Sequence, residues 1–192
     1  MVAARTHFEV LGLAPSYFID RAELESRYRE GQRHSHPDRF SRAPAAERAQ
    51  VLRRATDLND AYRVLKHDVR RAEYLLSLFG IDLSESAEQA GGKKRTLDSL
   101  FLAEVLELRE ELQDAHSAND TAQIGRIGDE IKRRMAHELQ ELGAGFARLD
   151  ATSAADPAQL ESLAEVLLRL RYYQRFLDEI SAQQEAREQS NE

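Results

Sequence analysis

Residues 33–40 read RHSHPDRF, and the fold turns on how they are read. Pro37 fixes its own φ and disfavours α geometry at His36, so a helix arriving from the N-terminal side must stop before His36 and leave His36-Pro37-Asp38 in a turn. Upstream, Leu24, Tyr28 and Gly31 fall on one stripe, whereas Arg29 and Arg33 fall near the opposite side at about 100° per residue. Downstream, Val51, Ala55, Leu58, Tyr62 and Leu65 repeat at spacings of three and four. Two antiparallel helices with the motif at their tip and the arginines toward solvent satisfy both patterns.

Helix starts are marked elsewhere in the same chain. Thr6-His7-Phe8-Glu9, Asp20-Arg21-Ala22-Glu23, Asp120-Thr121-Ala122-Gln123 and Asp156-Pro157-Ala158-Gln159 resemble capping boxes, the last with proline at the first helical position. Ile127, Ile131, Met135, Leu139, Leu142 and Phe146 continue the helical period, and no alternating, strand-like run occurs. The chain is predicted to be all-α: a short helix near 6–11, helices at 20–34, about 45–66 and 69–79, then three long ones. The segment SESAEQAGGKK, Ser84 to Lys94, has no apolar periodicity. It divides a module at 1–80 from a helical bundle at 96–192, with 81–95 as linker.

The 192 residues are 42% hydrophobic, enough for a core, and contain no cysteine. Disulfides, thiol catalysis and cysteine-held metal are therefore excluded. No run approaches the roughly eighteen apolar residues of a membrane span, and MVAARTHFEV has no apolar secretion signal. A cytoplasmic location is expected, with no membrane partner. The net charge of −7 is uneven: residues 1–80 hold 14 Lys and Arg against 11 Asp and Glu, and residues 81–192 hold 13 against 23. A surplus of three positive charges is weak for nucleic acid, so no nucleic-acid partner is expected.

His34, His36 and Asp38 also have the HxHxD spacing of some metallohydrolases. That reading needs a further histidine where Arg39 stands and a β-rich scaffold that the periodicity does not supply. His7, His67, His116 and His137 are scattered. No nucleophile, carboxylate pair or phosphate-binding glycine loop has a convincing context, so neither enzymatic activity nor a cofactor or metal is expected.

A His-Pro-Asp turn between antiparallel helices, in a basic module of about 80 residues, resembles the J-domain, whose members bind DnaK-type chaperones and stimulate ATP hydrolysis. The segments RRAEYLLSLFGIDL at 70–83 and FLAEVLELREEL at 101–112 extend the likeness to nearly the whole chain, which resembles the HscB family of bacterial iron-sulfur cluster assembly. The resemblance implies two partners, the chaperone HscA and the cluster scaffold IscU. On the chaperone side it implies His36, Pro37 and Asp38 with the basic surface of Arg29 and Arg33, joined by Arg27 and Arg39. The broader alternative is a general J-domain co-chaperone for another DnaK-type partner. Ser35 stands where many J-domains have tyrosine, Arg39 where lysine is frequent, and Ala103 where some relatives have methionine. Eukaryotic members can carry a cysteine-rich motif before the J-domain; its absence favours a bacterial origin.

The second module has apolar residues to spare. On the helix from about 97, Leu97, Phe101, Val105, Leu108 and Leu112 share a face, leaving Leu102 and Leu106 beside Arg109, Glu110 and Gln113. On the helix from about 157, Leu163, Val166, Leu167, Leu170, Tyr173, Leu177 and Ile180 share a face, leaving Leu168 and Tyr172. These strips either pack on one another or on the first module, or they bind a partner. The resemblance implies the second outcome: a scaffold-binding surface of Leu102, Leu106 and Tyr172, rimmed by Glu107, Arg109 and Glu110.

Overall fold

The structure, a computed structural model, describes residues 5–34, 44–84, 95–150 and 155–190. These residues form seven helices and no strand: α1 (His7–Leu11), α2 (Arg21–His34), α3 (Ala45–Leu65), α4 (Asp68–Leu78), α5 (Ser99–Ser117), α6 (Thr121–Asp150) and α7 (Pro157–Ser190). They fall into two compact units, residues 1–80 and 81–192. The all-α expectation holds, with helix bounds close to those read from the spacing.

At all four expected starts the first side chain accepts a first-turn amide, and at α1 Thr6 and Glu9 form the full reciprocal capping box. Asp20 Oδ1 accepts the Ala22 and Glu23 amides at 2.7 and 3.3 Å, Asp120 Oδ1 the Gln123 amide at 2.9 Å, and Asp156 Oδ1 the Ala158 amide at 3.0 Å. Each occupies a donor that the first helical turn would otherwise leave without a partner.

In the first unit α2 and α3 run antiparallel, since Gly31 meets Leu58 while Tyr28, a turn earlier, meets Asn59 and Tyr62. The Tyr28 and Tyr62 rings stack with centroids 4.0 Å apart, and the Tyr28 hydroxyl donates to Asn59 Oδ1 at 2.9 Å. A Cβ at Gly31 would lie 2.8 Å from both Leu58 methyls, so glycine sets how closely the hairpin closes near its tip. Phe8, Leu11, Leu24, Leu58, Leu65, Ala72 and Leu76 fill the core.

Arg71, a buried cation of this unit, ties three segments together. Its Nε donates to the Tyr17 carbonyl at 2.7 Å, Nη1 to the Leu65 carbonyl at 2.6 Å and Nη2 to Asp68 Oδ1 at 2.6 Å. The guanidinium also lies 5.1 Å from the Tyr17 ring centroid. With every donating nitrogen partnered and carbonyls among the acceptors, burial of the charge is tolerated.

The second unit is a three-helix bundle of α5, α6 and α7. Phe101, Val105, Leu108 and Leu112 of α5 meet Ile124, Ile127 and Ile131 of α6 and Tyr173, Phe176 and Ile180 of α7. Arg134 on α6 pairs with Glu130 at 2.8 Å, with Glu104 of α5 at 3.0 Å, and with the Tyr173 hydroxyl of α7. The stretch expected to be linker, 81–95, is docked at both ends. Ile81 and Leu83 are buried, Arg171 Nη1 donates to the Leu83 carbonyl at 2.6 Å, and Arg95 grips Glu161 through two bonds of 2.9 and 3.2 Å.

Candidate functional site

The chaperone-facing expectation separates into two grooves. Arg29 and Arg33 line an open groove of about 1130 Å³ between α2 and α3, opposite Leu52, Ala55 and Thr56. Arg29 pairs with Glu25 one turn back at 2.8 Å and keeps 73% of its side chain exposed, so the pair is weak and the cation remains accessible. Arg27, expected on the same basic surface, lies instead in a second groove with Arg5, His7, Glu30 and Asp57. Two residues along a helix is about 200° around it, which separates Arg27 from Arg29. His36, Pro37, Asp38 and Arg39 lie outside the described residues; Arg33, three positions before His36, is the described arginine closest to them in sequence.

Burial drives the His7 imidazole in the second groove below its ordinary pKa, while Asp60 and Asp57 pull the other way. Its ring rests on Tyr74, centroids 4.2 Å apart, and the Tyr74 hydroxyl accepts the His7 amide at 2.9 Å. Among the described residues no group of three histidines, aspartates or glutamates could hold a metal ion. His34 turns its Nδ1 to the Glu30 carbonyl at 2.8 Å.

On α5, Leu102 and Leu106 are 40% and 58% exposed, although Phe101, Val105 and Leu108 beside them are buried. Tyr172 departs from the expectation that it lies outside the core. It is half-buried and packs against the core, its ring edge-on to Phe101. Arg109 bridges to α7: its guanidinium lies 5.9 Å from the Tyr172 centroid and 6.0 Å from that of Phe176, and Nη2 is 3.6 Å from Glu179. Glu107 and Glu110 are exposed.

Comparison with known proteins supplies the lineage. Residues 6–74 match the DnaJ domain and residues 97–181 the HSCB C-terminal oligomerisation domain. The curated co-chaperone protein HscB homolog of Vibrio campbellii is 36% identical over 146 residues, 73% of this chain and 81% of that protein. The chain belongs to the HscB co-chaperone family.

Among solved structures, chaperone HscB from Vibrio cholerae is 28% identical with a TM-score of 0.74, covering 95% of this chain and 99% of its own. Human co-chaperone HscB is 27% identical with a TM-score of 0.77, covering 96% and 84%. Jac1 of Saccharomyces cerevisiae, at 22% identity and a TM-score of 0.66, shares the fold. HscB proteins are co-chaperones of iron-sulfur cluster assembly and not enzymes. No described helix is long and apolar enough to cross a membrane.

The helical spacing alone does not single out Phe176 or Leu52. Phe176 is fully buried at the centre of the bundle, whereas Leu177, assigned to the core face, is only partly buried. The spacing Tyr173, Phe176, Ile180 agrees with the burial of Phe176. Leu52, one residue after buried Val51, falls about 100° off the α3 stripe and is exposed.

Proposed function

We propose that this HscB-family protein is a two-partner co-chaperone that binds the cluster scaffold IscU and delivers it to the DnaK-type chaperone HscA in the cytoplasm. The J-domain engages the ATP-bound chaperone through His36, Pro37 and Asp38, with Arg29 and Arg33 supplying charge and Arg27 and Arg39 secondary to them. The C-terminal bundle holds the scaffold on Leu102, Leu106 and Tyr172, within a rim of Glu107, Arg109 and Glu110.

The supporting observation is the exposure of Leu102 and Leu106 on a helix whose inward face is already full. Two leucines in solvent on one helical strip suit an apolar partner surface, and the charged residues beside them suit the polar rim of such an interface. No bond is made or broken on the chain. Holding both partners at once raises the effective concentration of each near the other, so the ATPase is triggered where its client is present.

The test is steady-state ATP hydrolysis by HscA. The protein should accelerate turnover, and His36→Gln or Asp38→Asn should abolish the acceleration with helical content and IscU binding unchanged. Normal stimulation by either variant would refute the assignment of the turn.

A further inference from the structure

We propose that Leu52 on α3 is an apolar anchor for the DnaK-type chaperone, extending the docking face from the arginines of α2 across the groove onto α3. The inference rests on the chaperone reading given above. Leu52 is 62% exposed, above Phe18, Leu78 and Phe79, the other exposed large apolar side chains among the described residues of this unit. The fold has no use for it there: Val51, Leu58 and Leu65 of the same helix already fill the core stripe. A single exposed leucine on a convex surface needs no explanation. This one lines a concavity, with Ala55 and Thr56 beside it and Arg29, Gln32 and Arg33 on the facing wall.

The wall and its contents define the occupant. Arg29 and Arg33 outnumber Glu25, so the α2 wall is net positive, whereas the α3 wall of Leu52, Ala55, Thr56, Leu58 and Asn59 carries no charge. The complement of the groove is an apolar chaperone side chain flanked by carboxylates, which would bury Leu52 and draw Arg29 from its exposed pair with Glu25. Arg33 of the groove wall also precedes His36, in the turn assigned to the chaperone, by only three residues in the sequence. One docking event can therefore cover both. Leu52 would supply contact that salt does not screen, and the arginines contact that it does.

The test is the affinity of the full-length protein for ATP-bound HscA, at about 0.05 M and about 0.3 M salt, spanning screening lengths of roughly 14 to 6 Å. Leu52→Ala should weaken binding about tenfold, by the same factor at both salts, because what it removes is apolar burial. Leu52→Asp should weaken it further, by setting a carboxylate against carboxylates. Arg29→Ala should lose less at the higher salt. The anchor is overturned if both Leu52 variants bind like the unaltered protein while His36→Gln fails to stimulate. Normal stimulation by His36→Gln would instead remove the underlying chaperone reading. If Leu52→Asp changes the sedimentation of the protein alone and not its affinity for HscA, a second copy of the chain fills the groove and the anchor is wrong.

Discussion

The Tyr172 ring stands edge-on to Phe101, with centroids 6.0 Å apart and planes at 88°, so the residue belongs partly to the bundle core and partly to its surface. Arg109 covers the same ring from α5. Tyr172→Ala should therefore do two things at once: weaken scaffold binding and destabilise the bundle by about 2 kcal/mol, below the loss for a fully buried aromatic. Tyr172→Phe should keep the melting temperature. Calorimetry of both variants checks this; an unchanged melting temperature for Tyr172→Ala would show that the Phe101 contact contributes nothing.

Arg29 and Arg33 share a groove wall, and Arg27 does not. Arg29→Ala and Arg33→Ala should each weaken HscA binding several-fold at low salt and less at high salt, as screened surface charges do. Arg27→Ala should have the smallest effect of the three. Titration of HscA against each variant at two ionic strengths measures the ranking, and equal losses from all three would contradict the separation into two grooves.

The burial of His7 gives the J-domain a pH dependence. Its folded pKa is lowered from the ordinary value of 6.5, so the unfolded chain binds this proton more readily than the folded one. The resulting stability is fully present above the unfolded value and is lost as pH falls through it toward the folded pKa. Replacing His7 by Gln should flatten that fall. Urea midpoints of both proteins at about pH 7.5 and about pH 5.5 provide the comparison, in which His67 is common to both and cancels. An equal drop in the two proteins would mean that His7 is not the titrating group.

Most of the fold was legible because its signals are local. A carboxylate or hydroxyl before an apolar period of 3.6 marks a helix start whatever the tertiary context, and all four such signals cap a helix. The harder residues depended on neighbouring helices. Tyr172 lies off the α7 core face on a helical wheel, yet the approach of Phe101 from α5 half-buries it. Arg27 and Arg29 are both exposed arginines of α2, but the placement of α1 on one side and the outer flank of α3 on the other assigns them to different grooves. Arg71 had no sequence signal for burial, because its partners include the carbonyls of Tyr17 and Leu65, which any residue types there would supply.

The coupling of the two partners is tested most directly by the synergy between them. With HscA, the ATPase rate should rise more with this protein and IscU together than the sum of the rises with each alone. Leu102→Ala/Leu106→Ala should remove that excess. It should weaken scaffold binding by a factor of about ten to several thousand, with an almost unchanged melting temperature. Stimulation by the variant without IscU should persist, because the J-domain is untouched. Additive rates for the unaltered protein, or a double variant that retains the excess or melts several degrees lower, would contradict the account.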